Sequence, residues 1–224
     1  MKNEIKNFTQ PRIDRVVAAL VEPDWTRKEA YADFLAQIYY YVAHTTRILA
    51  AAGSRFPLDR QDLHQRCMSH AAEEKSHELL SYADLKTLGY RPEDFTELPA
   101  TKCLYRSAYY LIERVSPMSL VGYAYFLEWL AVAGGSRLLE IVEPLYGKNA
   151  VKHLHVHAKE DPHHIVVVEE MLERLPAADR ACIEESIATA ATEFERMIRE
   201  VHARAAIGMA EGQRHGLKPA RKSA

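Results

Sequence analysis

The chain has 224 residues, 48% of them hydrophobic, which is enough to bury one substantial core and too few to suggest a second full domain. Its 29 basic and 31 acidic residues leave a formal net charge of −2, which gives no electrostatic reason to expect a nucleic-acid or anionic-membrane partner. Three scattered cysteines without a CxxC pair argue against a disulfide scaffold. Together with the absence of a signal-peptide pattern or membrane-length apolar window, they predict a cytoplasmic protein.

The apolar residues recur at helical spacing almost throughout the chain, which predicts an all-α protein. The run Thr26-Arg-Lys-Glu29 has the pattern of a capping box at the start of the first long helix, and Gly53 ends that helix. Ser116 followed by Pro117 is typical of a helix start. In chain order, the predicted helices are 26–53, 58–88, 101–115, 117–134, a short helix that ends near residue 144, 148–175, and a last helix that ends near residue 206.

These helices predict a single domain, a bundle of about seven helices over residues 1–207. Residues 208–224 contain several glycines and basic residues and predict a disordered tail. Pro162 lies inside the sixth predicted helix, where it removes a backbone donor and should bend the helix.

A first cluster of polar residues lies in the second predicted helix, in the run Ser-His70-Ala-Ala-Glu73-Glu74-Lys-Ser-His77. At about 100° per residue, positions 70, 74 and 77 share one stripe of a helix. Glu74 and His77 also have the Glu-x-x-His spacing of bundle metal sites. The same run also fits a solvent-exposed helix face with i,i+3 charge pairs.

A second cluster lies in the sixth predicted helix, where His157, Asp161 and His164 are related by i, i+4 and i+7. This spacing places two imidazoles and one carboxylate on a single face. Imidazole and carboxylate ligands suit iron or manganese, and the lack of cysteine argues against structural zinc. His153 falls one turn earlier on the same stripe, whereas His155 and His163 should face elsewhere.

An isolated carboxylate, Glu128, lies in the most apolar stretch of the chain, Ala-Tyr-Phe-Leu-Glu128-Trp-Leu-Ala-Val-Ala. A carboxylate in such a place costs free energy unless it is paired, protonated or bound to a metal. The three features together favour a metal site over a chance grouping of eleven histidines. His44, Tyr41 and Tyr125 are candidates for a substrate pocket, and no catalytic residue is assigned.

The chain resembles the haem-oxygenase-like di-iron oxidases and oxygenases, seven-helix bundles that use non-haem iron. The resemblance covers most of residues 30–200 and depends on an acidic and histidine cluster, an isolated glutamate and a late His-x-x-x-Asp-x-x-His signature, in that order. It implies a metal site of two Fe(II) ions with dioxygen as co-substrate. The implied ligands are Glu74, His77, Glu128, His157, Asp161 and His164. In the early cluster, His70 is the second choice and Glu73 the third for the place assigned to Glu74.

The same resemblance implies the oxidation of a small amino-acid-like or fatty-acid-like metabolite by N-oxygenation, desaturation or carbon–carbon cleavage, often in natural-product biosynthesis. The expected partner is a small molecule, and the bundle is compatible with a homodimer. Arg106, Arg114 and Arg137 are either carboxylate-binding or surface residues.

Three other functions remain open from the sequence. A haem-binding protein of this fold would use His44 as its iron ligand. A metal-independent enzyme of the thiaminase or pyrroloquinoline-quinone-synthase type is the second, and a thiaminase would need a nucleophilic cysteine, for which Cys67 is the candidate near the early cluster. The third is a helical module that binds metal or a partner without catalysis.

Overall fold

The structure, a computed structural model, describes the backbone of residues 1–215 and the side chains of that range other than residues 160 and 208–215. Over these residues it is helical and contains no strand, as the sequence predicts. The α-helices are α1 Lys2–Val21, α2 Lys28–Val42, α3 Thr45–Gly53, α4 Gln61–Glu73, α5 Glu78–Leu88, α6 Pro99–Arg114, α7 Ser119–Leu130, α8 Ser136–Tyr146, α9 Lys152–Arg174 and α10 Arg180–His215.

Three pairs of consecutive helices are separated by only a few residues. α3 follows α2 after a short break, α5 follows α4 after the turn at residues 74–77, and α8 follows α7 after a π-helical turn at Ala131–Gly135. With each pair counted as one unit, residues 1–215 form seven helical units, which confirms the predicted bundle of about seven helices. The division of the chain into helices differs from the prediction, because α1 was not predicted and the predicted fourth and fifth helices are joined.

α1 was not predicted, because Pro11 and several charged residues interrupt its apolar pattern. Its buried face includes Ile5, Ile13 and Val16, each at most 1% exposed. This helix packs mainly against α10, so it covers the bundle on the side away from the early polar cluster.

Several predicted helix boundaries differ from the structure. Thr26 does not form the predicted capping box: its hydroxyl donates to Asp24, and α2 begins at Lys28 without a side-chain cap. Ser116 accepts a hydrogen bond from the backbone N–H of Met118, just before α7. α10 extends to His215, beyond the predicted end near residue 206. The rest of the predicted tail, residues 216–224, lies outside the described residues.

α7 is the central helix of the bundle and is buried on nearly all sides, since it packs against α1, α6, α9 and α10. Gly122 allows the close approach of α10, because a Cβ atom there would lie 2.2 Å from the backbone oxygen of Ile183. This packing holds Glu128 in the interior, facing α9 and α4. Among the described residues, no helix combines the length and the apolar character needed to cross a bilayer.

Candidate metal centre

The early polar cluster lies where α4 ends and α5 begins. Glu74 is buried, and its Oε1 and Oε2 atoms lie 3.6 Å from His70 Nε2 and 3.1 Å from His77 Nδ1. Burial alone would raise the pKa of Glu74, but hydrogen bonds from His70 and His77 lower it below the ordinary value. The Glu74 carboxylate is therefore charged at neutral pH.

The chain does not form the single helix predicted across this cluster. Residues 74–77 form a turn, and Ser76 has a φ of 71°, in the left-handed region that side-chain-bearing residues seldom adopt. With the helix interrupted here, His70 and His77 contact different oxygens of the Glu74 carboxylate, Oε1 and Oε2. Strain of this kind is common at functional sites.

The late cluster lies on α9, which continues as one helix through Pro162. Asp161 is only 2% exposed. Its Oδ1 atom lies 3.2 Å from His157 Nδ1 and 3.8 Å from His164 Nδ1. The predicted i, i+4, i+7 face is thus directed into the bundle, whereas His155 and His163 are exposed, as their positions predict.

Glu128 projects from α7 between the two clusters. Its Oε1 atom lies 3.3 Å from His70 Nε2 and 3.8 Å from His164 Nδ1. One ligand atom from each of these three residues lies within 4.8 Å of the others, and all three residues are buried. Burial, with the nearby carboxylates of Asp161 and Glu74, raises the pKa of Glu128 well above its ordinary value.

The ligand-type side chains therefore form two adjacent groups. The first group is His70, Glu128 and His164. The second group is Glu74, His77, His157 and Asp161, in which the rings of His77 and His157 lie 5.2 Å apart. Glu74 contacts His70, and Asp161 lies close to His164, so the two groups adjoin each other.

Four buried atoms in these groups have no hydrogen-bond partner among the described residues: both carboxylate oxygens of Glu128, Nε2 of His157 and Nδ1 of His164. Buried polar atoms are almost always partnered, so a set of unpartnered acceptors indicates a missing ligand. Burial also lowers the pKa of His164, which keeps a ring lone pair available. Nitrogen and carboxylate donors without thiolates fit iron or manganese.

His153 is a ligand-type residue that was not predicted to be a metal ligand. Its ring lies 4.4 Å from that of His157, and its buried Nδ1 atom has no hydrogen-bond partner among the described residues. Burial lowers the pKa of His153 well below its ordinary value, so the ring is neutral. Its i, i+4 spacing from His157 was the available signal. Asp84 on α5 fixes this end of α9 by accepting the backbone N–H groups of Lys152 and His153, both at 2.9 Å.

Glu73, the third choice for the early ligand, has a side chain 46% exposed. Its carboxylate contacts Arg66 at 3.3 Å and His164 Nε2 at 3.5 Å. It therefore approaches His164 from the outer side of the first group, where it can orient the imidazole.

A partly open cavity lies beside both groups. Tyr41, one of the predicted pocket residues, lines it. The other two do not line it: His44 stacks on Tyr105 with ring centroids 3.9 Å apart, and Tyr125 donates its hydroxyl to Glu169. The lining residues are Tyr41, Val42, Thr45, Ile48, Leu49, His70, Glu74, Leu120, Tyr123, Ala124, Leu127, Glu128, Ala131, His153, His157 and Asp161.

Two solved structures resemble the whole bundle. One, a domain of unknown function with a haem-oxygenase-like fold from Shewanella denitrificans OS217, is 22% identical with a TM-score of 0.74, over 100% of this chain and 94% of that one. The other, a TenA homologue from Pseudomonas syringae pv. tomato DC3000, is 12% identical with a TM-score of 0.71, over 89% of this chain and 91% of that one. At these identities the likeness shows the haem-oxygenase-like fold alone.

Comparison with curated proteins finds no match. The sequence profile of the iron-containing redox enzymes, in contrast, matches residues 32–197, a range that includes every member of both ligand groups. Because that match covers well over half of the chain, the protein belongs to the family of iron-containing redox enzymes.

Proposed function

We propose that the protein is a non-haem di-iron enzyme that activates dioxygen to oxidise a small metabolite. One observation carries the proposal: two adjoining groups of buried imidazoles and carboxylates, with Glu128 and His164 presenting unpartnered atoms to the space between them. Seven side chains are more than a single ion requires, and carboxylates and histidines on facing helices are the usual ligands of di-iron bundles.

The proposed assignment gives each group one ion. His70, Glu128 and His164 would hold the first ion, and Glu74, His77, His157 and Asp161 the second. Two ferrous ions bound there would supply the electrons that a side chain cannot deliver to dioxygen. The three carboxylates of these groups balance most of the charge of two divalent ions.

The chain's own residues prepare this site. Glu74 is ionised before metal arrives, because His70 and His77 hydrogen-bond to it. Glu128 is different, since its raised pKa means that binding a cation must displace a proton from it. The apolar lining beside the ligands, including Leu120 and Leu127, limits the access of water to the reacting substrate.

The test is an anaerobic titration of the purified chain with ferrous ion, followed by exposure to oxygen. We expect about two tightly bound ferrous ions per chain, in line with the two-metal bundles, and oxygen uptake that requires them. The matched variants are His164→Ala and His163→Ala, because His164 is buried in the first group and His163 is exposed. Only His164→Ala should lose iron and oxygen uptake. Binding of one ion or none by the unaltered chain would refute the di-iron assignment.

The two rival activities have less support. Cys67 is buried, and burial raises the pKa of its thiol to about 11, which leaves little thiolate for a thiaminase-type attack. His44, the candidate haem ligand, is stacked on Tyr105, and its Nδ1 atom lies 3.2 Å from the hydroxyl of Tyr109. A Soret band in the purified protein would reverse this preference and favour haem.

A further inference from the structure

The cavity extends well beyond the ligand groups. Leu120 and Glu128 both line it and are eight residues apart on α7, which corresponds to about 12 Å along the helix axis. The lining residues outside the two ligand groups and His153 are Tyr41, Val42, Thr45, Ile48, Leu49, Leu120, Tyr123, Ala124, Leu127 and Ala131. These ten carry no charge, and most of them are apolar.

The basic residues considered from the sequence do not supply a charge to this wall. Arg106, Arg114 and Arg137 are all exposed, and none of them lines the cavity. A charged group on a bound molecule therefore finds an opposite charge only at the metal-binding end. A second charge held several atoms away from the first, as in an ω-amino acid, would lie against the apolar wall without a partner, which is costly.

Among the described residues of the uncharged wall, one fully buried polar atom has no hydrogen-bond partner. The Tyr123 side chain is 5% exposed, and its hydroxyl forms no hydrogen bond with any described residue. Buried tyrosine hydroxyls normally have a partner. Burial also raises the pKa of Tyr123, which keeps this hydroxyl neutral. Tyr123 precedes Glu128 by five residues, about 7.5 Å along α7.

We infer that the cavity binds a mainly apolar molecule whose charge is confined to the end at the proposed metal site, and that the Tyr123 hydroxyl recognises a neutral hydrogen-bonding group further along it. This inference rests on the proposed function and narrows it. It disfavours molecules that carry a second charge far from the first, and it assigns specificity to a residue outside both ligand groups.

Three six-carbon carboxylates test this inference: hexanoate, 6-hydroxyhexanoate and 6-aminohexanoate. Their binding is measured by calorimetry on the full-length chain, both metal-free and loaded with Zn(II), so that no oxygen chemistry occurs. We expect the hydroxy acid to bind roughly threefold to tenfold more tightly than hexanoate, the usual effect of one hydrogen bond. The zwitterionic amino acid should bind most weakly.

The matched variants are Tyr123→Phe and Tyr125→Phe. Tyr123→Phe should abolish the preference for the hydroxy acid and leave hexanoate binding unchanged. Tyr125→Phe should retain the preference, because the Tyr125 hydroxyl bonds to Glu169 and Tyr125 does not line the cavity. A preference that survives in Tyr123→Phe, or 6-aminohexanoate as the tightest ligand, would overturn the inference, and so would failure of all three probes to bind.

The metal content of the same samples separates this inference from the proposed function. If two metal ions bind but the preference is absent, only the substrate inference fails. If the metals do not bind and the metal-free chain still shows the Tyr123-dependent preference, the di-iron function fails and the recognition by Tyr123 stands.

Discussion

Glu128 Oε1 and His70 Nε2 lie 3.3 Å apart on different helices, yet the Glu128 carboxylate forms no hydrogen bond with any described residue. Close approach without hydrogen-bond geometry is the arrangement expected of two ligands that face a common ion. In the absence of that ion, the carboxylate is buried beside two other carboxylates. Glu128 should therefore destabilise the metal-free protein and stabilise the loaded one.

Glu128→Gln should separate these two effects. The amide has nearly the same volume and no charge, so the metal-free variant should unfold at a higher temperature, with a gain of about 1–2 kcal/mol from relief of the buried acid. Added ferrous ion should stabilise the variant much less than the unaltered chain, because a ligand is missing. Differential scanning calorimetry with and without iron under anaerobic conditions measures both. A metal-free variant that is less stable than the unaltered chain would contradict the destabilising effect assigned to Glu128.

Glu74→Gln and Glu73→Gln identify the early acidic ligand. Glu74 is buried between His70 and His77, whereas Glu73 is half-exposed beside Arg66. Glu74→Gln should weaken ferrous binding by about tenfold or more and reduce the metal count, because it removes a charged ligand. Glu73→Gln should retain the full metal count. Equilibrium dialysis of both variants provides the comparison, and the opposite ranking would assign the ligand to Glu73.

The inward positions of the late signature and of the isolated glutamate could be predicted from the sequence, because each feature lies within one regular helix. His157, Asp161 and His164 share a face by spacing alone, and Glu128 is conspicuous in an apolar stretch. His70 was ranked second to Glu74, on stripe geometry, for the one place beside His77 that the resemblance implies. The left-handed turn at Ser76, which spacing cannot reveal, brings His70, Glu74 and His77 together instead.

The pocket residues were harder to predict, because the packing of the helices decides which side chains line a cavity. Tyr125 and Tyr123 are two residues apart in the same apolar stretch, so the sequence did not separate them. The packing places Tyr123 along the cavity and directs the Tyr125 hydroxyl toward Glu169. α1, which contributes Lys6 near that same Glu169, was missed altogether.

His157→Ala and His155→Ala test the inward face of α9. The His157 side chain is 13% exposed and belongs to the second group, whereas His155 is 45% exposed and lies 3.1 Å from Glu143. His157→Ala should reduce the bound metal from about two ions to about one, since it removes one ligand of a single group. His155→Ala should bind both ions. Metal analysis after anaerobic loading measures the number of ions bound by each variant. Equal metal content in the two variants would count against the assignment of His157 to a second ligand group.

Gly122→Ala tests the close packing of α7 against α10, which holds Glu128 in the interior. The added Cβ would lie 2.2 Å from the backbone oxygen of Ile183 on α10, and a backbone atom cannot move aside without shifting the helix. We expect a loss of about 3 kcal/mol in the free energy of unfolding. In Gly135→Ala, the nearest atom is Leu154 Cδ2 at 3.8 Å, an ordinary contact, so that control should gain about 0.5–1 kcal/mol. Urea unfolding of both variants measures the difference, and equal effects would refute the close approach.

Asp84 should give the protein a distinctive pH dependence. Burial raises its pKa from 3.8 to about 6, although the backbone N–H groups of Lys152 and His153 oppose that rise. Because the folded pKa exceeds the unfolded one, the native state takes up a proton first as the pH falls. The Asp84 contribution to stability therefore grows as the pH drops from about 6 to about 4 and is lost as the pH rises through 6.

Asp84→Asn isolates this contribution from that of the buried histidines, which titrate in both proteins. The amide keeps an acceptor for one N–H of α9 but has no proton to gain. The stability of the unaltered chain relative to Asp84→Asn should improve by about 2 kcal/mol between pH 7.5 and pH 4.5, at 1.36 kcal/mol per pKa unit. Urea unfolding of the two metal-free proteins at both pH values measures this change. A stability difference that is independent of pH would show that Asp84 is already ionised at pH 4.5, so that its role is only to cap α9 beside His153.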